Sequence, residues 1–199
     1  MTKLERTMDY GERFLFVLLI TPFILNFLRY MPSHPWAIGI FLSEVLTVVL
    51  ILVRRPGVMA IRFYPMAVAF LGTALPLLAR PGGIALVPTA VSSALMFGGL
   101  FISISSKVSL NRSFGLIAAN RGVKSGGPYR FVRHPMYLGY IVTQLGFMLS
   151  QFSWHLMTIY SLAWCAQILR IIEEERILMQ DEGYRKFAET TPRRLLPGF

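Results

Sequence analysis

Gly126 to Tyr140 reads Gly-Gly-Pro-Tyr-Arg-Phe-Val-Arg-His-Pro-Met-Tyr-Leu-Gly-Tyr and lies between two long apolar runs. Four aromatic rings, two arginines, a histidine, three glycines and two prolines fall within these fifteen residues. Gly126-Gly127-Pro128 lets the backbone turn and approach a ligand closely. His134-Pro135 punctuates the chain, because a residue before proline avoids helical angles while proline suits a first helical turn. A helix is therefore expected to start at Pro135 or Met136. Its N-terminal amides, behind Arg133 and His134, suit a carboxylate. Tyr129, Tyr137 and Tyr140 offer ring faces for stacking or for a cation.

The rest of the chain places this stretch at a membrane surface. Of 199 residues 54% are apolar and only 15% are charged, the composition of a polytopic membrane protein. The net charge of +10 would suit nucleic acid, but the basic residues are scattered between apolar runs and read as topology signals. Cys165, the single cysteine, lies inside an apolar run, which excludes an internal disulfide and a cysteine metal cluster. The three histidines have no metal-ligand spacing, so no catalytic metal is expected.

The expected fold class is all-α: a polytopic membrane helical bundle of about six transmembrane helices. The runs are about 13–28, 36–53, 64–79, 84–104, 135–150 and 154–172. Pro65 and Pro76 weaken the third, and a five-span bundle is the alternative. The first run is followed by Arg29-Tyr30 and prolines rather than a small-residue cleavage site, so it reads as a span. With six spans and both termini in the cytoplasm, all Lys and Arg except Arg29 and Arg80 fall on the cytoplasmic side, as the positive-inside rule requires. Two regions follow: residues 1–104, the N-terminal transmembrane helices, and residues 105–199, which hold the polar connection, a helical hairpin and the C-terminal tail.

Glu173-Glu174-Glu175 ends the last apolar run. Three adjacent carboxylates oppose the helix dipole if the helix stops there. A helix that continues makes Arg170 and Glu174 i,i+4 partners, and one or two of the carboxylates then close over the site of Arg133 and His134. The basic, aromatic tail from Tyr184 onwards reads as an interfacial anchor or a lid. Glu44, a carboxylate inside the second run, reads as a contact to a buried polar group such as Asn26, or as part of an acceptor tunnel that would make it substrate-binding. Gly98-Gly99 and the small residues Ser92 to Ala94 read as helix-packing contacts.

Gly127-Pro-Tyr129-Arg-Phe-Val-Arg133-His134-Pro135-Met-Tyr137-Leu-Gly139, followed by Arg170-Ile-Ile-Glu173-Glu174-Glu175-Arg-Ile-Leu178 and a Tyr-containing tail, resembles the isoprenylcysteine carboxyl methyltransferase family. The wider group it resembles includes membrane phospholipid N-methyltransferases. The resemblance covers about Asn111 to Phe199. It implies S-adenosylmethionine as methyl donor at the cytoplasmic face, S-adenosylhomocysteine as product, and a lipophilic acceptor from the bilayer. It implies that Gly127, Tyr129, His134, Pro135, Tyr137, Gly139 and Glu174 enclose the cofactor. Arg133, Glu174 and Glu175 line the reaction centre, with Arg133 holding an acceptor carboxylate or a Glu serving an amine acceptor as base. The stretches Asn111 to Gly115 and Ala119 to Gly122 resemble a bacterial offshoot, which implies a bacterial inner membrane. A membrane NADPH-dependent sterol-type reductase, which carries a similar Arg-His-Pro-x-Tyr-x-Gly hairpin, is the reading from another class.

Overall fold

A computed structural model describes residues 3–30, 38–55, 58–59, 63–80, 82–115 and 119–196. The described residues are mostly helical, with helices α1 (Lys3–Tyr30), α2 (Ile38–Val53), α3 (Phe63–Ala74), α4 (Thr89–Leu110), α5 (Pro135–Ser150), α6 (Trp154–Leu178) and α7 (Glu182–Thr190). Among the described residues the only strands are β1 (Val58–Met59) and β2 (Ala119–Asn120), a two-residue antiparallel pair. Among the described residues two helical segments, Thr89–Ser113 and Trp154–Leu178, are long and apolar enough to cross a membrane.

Each of the six expected apolar runs forms a helix, with different ends. The first begins at Lys3, ten residues before the expected start. Asp9 pairs with Arg13 at 2.8 Å and with Arg54 at 2.6 Å, which compensates the charge in that extra helix. The third stops early because Pro76 cannot continue an α-helical ladder, and Leu75–Leu78 tightens into a 3-10 turn. The fourth starts at Thr89 rather than residue 84. Residues 84–86 are extended instead, with Ile84 exchanging backbone hydrogen bonds with Phe152 at 3.0 and 2.8 Å. It also runs on to Leu110, inside the stretch expected to be a polar connection. Ser106 and Ser109 turn their hydroxyls back onto carbonyls four residues earlier, and Lys107 lies buried over the Tyr140 ring. The polar side chains are thus satisfied without ending the helix.

α4 and α5 approach closely along a seam of small residues. A Cβ on Gly139 would stand 2.6 Å from the Ser103 nitrogen, and one on Gly99 would stand 2.5 Å from Thr143. Glycine is what lets these backbones meet. The ends of the helices then sort into two groups. At one end Arg13 donates to the Leu52 carbonyl, Arg112 to Val53, Arg121 to Arg55, and the Arg55 amide to Arg112. At the other end the loop before α4 packs on the α5–α6 turn, and His155 meets the Leu78 carbonyl at 3.3 Å. Ser153 caps α6 by accepting from the Leu156 amide, which fixes where the hairpin turns.

Filling the seam is expected to destabilise the bundle. Gly139→Ala should cost about 1–3 kcal/mol and lower Tm in detergent, whereas Gly98→Ala, whose Cβ would meet nothing within 4 Å, should leave Tm unchanged.

Candidate active site

The site forms where α5 begins, α6 ends and the tail returns. Successive helical residues point about 100° apart, so the three carboxylates of α6 leave the helix in different directions. Glu173 turns to Arg176 at 2.6 Å. Glu174 accepts a short hydrogen bond from the Tyr137 hydroxyl and one from Arg170 Nε at 3.3 Å, and its other oxygen lies 3.8 Å from His134 Nδ1. Glu175 turns inward and is buried. Each carboxylate therefore has its own cation, which resolves the repulsion expected from their adjacency.

Glu175 collects most of the positive charge. Arg133 grips both of its oxygens, Nε at 2.7 Å and Nη2 at 3.2 Å. Arg194 Nε donates at 2.6 Å, His134 Nε2 lies at 3.2 Å and the Tyr184 hydroxyl at 3.4 Å. Burial, then the charge of Glu175, push the Tyr184 hydroxyl well above its ordinary pKa, so it stays a neutral donor. Arg133 Nη1 donates to the carbonyls of Thr191 and Pro192 at 2.9 and 2.8 Å. The amides of Arg133 and His134 donate to the carbonyls of Arg193 and Arg194, both at 2.9 Å. The tail is thereby stitched to the motif by side chain and backbone alike. Asp181 caps α7 by accepting from the Tyr184 amide. Tyr184 and Phe187 on one face of α7 then pack on Tyr129.

A polar cavity of about 750 Å³, mouth included, opens beside these residues. Of the expected cofactor residues Tyr129, His134, Tyr137 and Glu174 line it, as does Arg133. Tyr129 is buried, and burial together with the charge of Glu174 raises its pKa. Gly127, Pro135, Gly139 and Glu175 do not line the cavity, and the structure gives them other work. Gly127 turns the chain at φ +59°, where a Cβ would also strike the Ser109 hydroxyl at 2.6 Å. Pro135 opens α5, Gly139 packs on α4, and Glu175 anchors Arg133 and the tail. The amides of Arg133 and His134, just ahead of α5, are taken by the tail. The Glu44 side chain lies outside the described residues.

Two charged residues of the cavity went unrecognised as site residues in the sequence, Arg121 and Lys124. Arg121 is 6% exposed and lies against Gly115 and the Arg55 carbonyl. The nearby glycines were the signal, since a bulky guanidinium needs such a neighbour to be buried.

A second chamber, of about 1060 Å³ with its mouth, lies deeper in the bundle. Its walls are mostly apolar, from Phe16, Ile20, Phe70, Leu77 and Phe114, with Arg170, Gln144 and Gln167 as polar insertions. Met136 and Tyr137 belong to the walls of both spaces. The Arg170 guanidinium lies 5.2 Å from the centre of the Tyr137 ring on the chamber side, while the Tyr137 hydroxyl reaches Glu174 in the polar cavity.

Helices with exposed apolar faces, an ionic clasp at one end and two adjoining cavities are the architecture of this bundle. Residues 87–184 match the phospholipid methyltransferase family. This segment is similar to that group of membrane methyltransferases, which includes isoprenylcysteine carboxyl methyltransferase-like proteins. A comparison with curated proteins finds no significant match.

The clasp makes a direct prediction. Arg133→Met leaves the buried Glu175 short of a partner and should cost about 3–5 kcal/mol. Hydrogen exchange at the amides of Arg133 and His134 should accelerate with it. Arg133→Lys should restore only part of the protection, because an ammonium cannot copy the planar fork.

Proposed function

We propose that this is an integral membrane, S-adenosylmethionine-dependent methyltransferase with a lipophilic acceptor, in a six-span arrangement with both termini cytoplasmic. The observation that carries the reading is the common wall of Met136 and Tyr137 between a polar cavity and an apolar chamber. Methyl transfer needs a polar donor and a greasy acceptor to meet at near-attack distance with water excluded. A cavity bordered by charged side chains and a mostly apolar chamber that share one wall suit that requirement. The basic residues gathered at the site end of the bundle support placing it at the cytoplasmic face.

The polar cavity has the chemistry to hold the donor. Glu174 suits its ammonium, Arg121 and Lys124 its carboxylate, and Tyr129 with Phe187 its adenine. Bound there, S-adenosylmethionine supplies an electrophilic methyl group on a sulfonium. The residues of the chain do the rest. Tyr137 holds Glu174 through its hydroxyl, and Glu174 takes the proton that an amine acceptor must lose. Arg133 and Glu175 act one step back, since four of the five N–H groups of Arg133 are directed at Glu175, Thr191 and Pro192. They hold the wall and the tail in register. Phe70 and Leu77 line the chamber and are also part-exposed on the apolar surface, next to the Pro76 break, which suits lateral access of a lipid.

The amine reading is favoured by this commitment of Arg133, and the phospholipid methyltransferase family is consistent with it. The carboxylate reading survives in altered form. In it the cation that meets the acceptor is Arg170, which lines the chamber, rather than Arg133.

Titration of the purified protein with S-adenosylhomocysteine, with NADPH as control, tests the donor. Micromolar binding of the first alone is expected, and binding of NADPH alone would overturn the reading in favour of a reductase. Glu174→Gln should reduce turnover at least about tenfold, which corresponds to about 1.4 kcal/mol of transition-state stabilisation. Near-normal turnover would place the reaction centre elsewhere.

A further inference from the structure

Gln167 is the anomaly of the apolar chamber. Its side chain sits on α6 one turn before Arg170, is 2% exposed, and lines the chamber. Its Oε1 is buried and accepts no hydrogen bond among the described residues. A buried acceptor without a partner is costly, and native interiors avoid it unless something fills the need. The second amide of the chamber, Gln144, is oriented by the bundle. The indole of Trp164 can only donate, and its Nε1 donates to Gln144 Oε1 at 2.8 Å. Gln144 lies on α5 at seven residues from Tyr137, and Gln167 lies on α6 at seven residues from Glu174. Both amides are thus about two turns, roughly 10 Å, below the wall shared with the polar cavity.

We infer that Gln167 is a specificity residue: it accepts a hydrogen bond from an O–H or N–H group carried by the acceptor lipid about 10 Å from its reacting end. The inference rests on reading the chamber as the acceptor site and adds a requirement to it. A purely hydrocarbon tail would fill the space but leave the amide without a partner. A lipid with a hydroxyl or amine at that depth satisfies it. Discrimination of this kind is strong, because a site built to hydrogen-bond a group rejects the analogue that lacks it.

The test uses the full-length protein in nanodiscs with Trp36→Phe and Trp154→Phe, so that Trp164, bonded to Gln144 at the chamber wall, is the sole fluorophore. Hexadecanol, hexadecylamine and hexadecane are titrated against it, and S-adenosylhomocysteine binding is measured separately on each sample. The inference expects saturable change with hexadecanol or hexadecylamine at concentrations at least about tenfold lower than with hexadecane. The alcohol and amine arms identify which donor is read. Gln167→Met should bring the three ligands within about twofold of one another, with S-adenosylhomocysteine binding unchanged. If Gln167→Met is lost to misfolding, Gln167→Glu, which keeps an acceptor oxygen, should retain the preference for the alcohol. Equal binding of alcohol, amine and alkane by the unsubstituted chamber, or a preference that survives Gln167→Met, overturns the inference. Loss of S-adenosylhomocysteine binding in the unsubstituted protein counts against the methyltransferase reading alone.

Discussion

Everything at the site end of the fold depends on one buried carboxylate. Glu175 has Arg133, Arg194, His134 and Tyr184 around it, on elements separated widely in the chain. A lone carboxylate at that depth would be expelled or protonated, and a lone arginine would cost as much. Together, with the remaining hydrogen-bonding capacity of Arg133 spent on tail carbonyls, they form a cluster in which the carboxylate is fully compensated and largely satisfied. Its value lies in geometry more than in stability. It sets the end of α6 against the start of α5, and so decides where Glu174 and Tyr137 stand.

The glycine seam between α4 and α5 does the complementary work inside the bundle. It draws α5 against α4, and Tyr137 and Tyr140 on α5 reach the wall of the chamber. Tyr137 can therefore be anchored at its hydroxyl by Glu174 and covered on its face by Arg170, one ring serving two spaces. A shift of α5 by one ångström would disturb both. The ring is fully buried, which leaves little room for such a shift.

Much of this was legible in the chain. The six apolar runs, the helix start at Pro135 and the continuation of α6 past Glu173 follow from hydropathy, proline chemistry and the Arg170–Glu174 spacing. Tyr129, His134, Tyr137 and Glu174, singled out in the sequence, line one cavity. What sequence could not show is who meets whom across space. Gly139 sits within the motif yet serves the seam, because a close helix approach and a close ligand approach demand the same residue. The tail's backbone pairing with Arg133 and His134 leaves no side-chain pattern to read. Gln144 and Gln167 are polar residues in apolar runs, and only the geometry shows that they border one space.

The clasp also has a temporal side. Arg133 is followed by Glu175 after 42 positions and by its carbonyl partners Thr191 and Pro192 after 58 and 59. At about 5–20 residues per second, several seconds separate synthesis of the guanidinium from synthesis of the groups that neutralise and cap it. During that interval α5 is laid down with its charged end unsatisfied, and the wall between the two spaces has no fixed position. The wall between the two spaces is thus set only when residues 191–194 have been made and fold back onto Arg133 and His134, rather than when the helices are laid down.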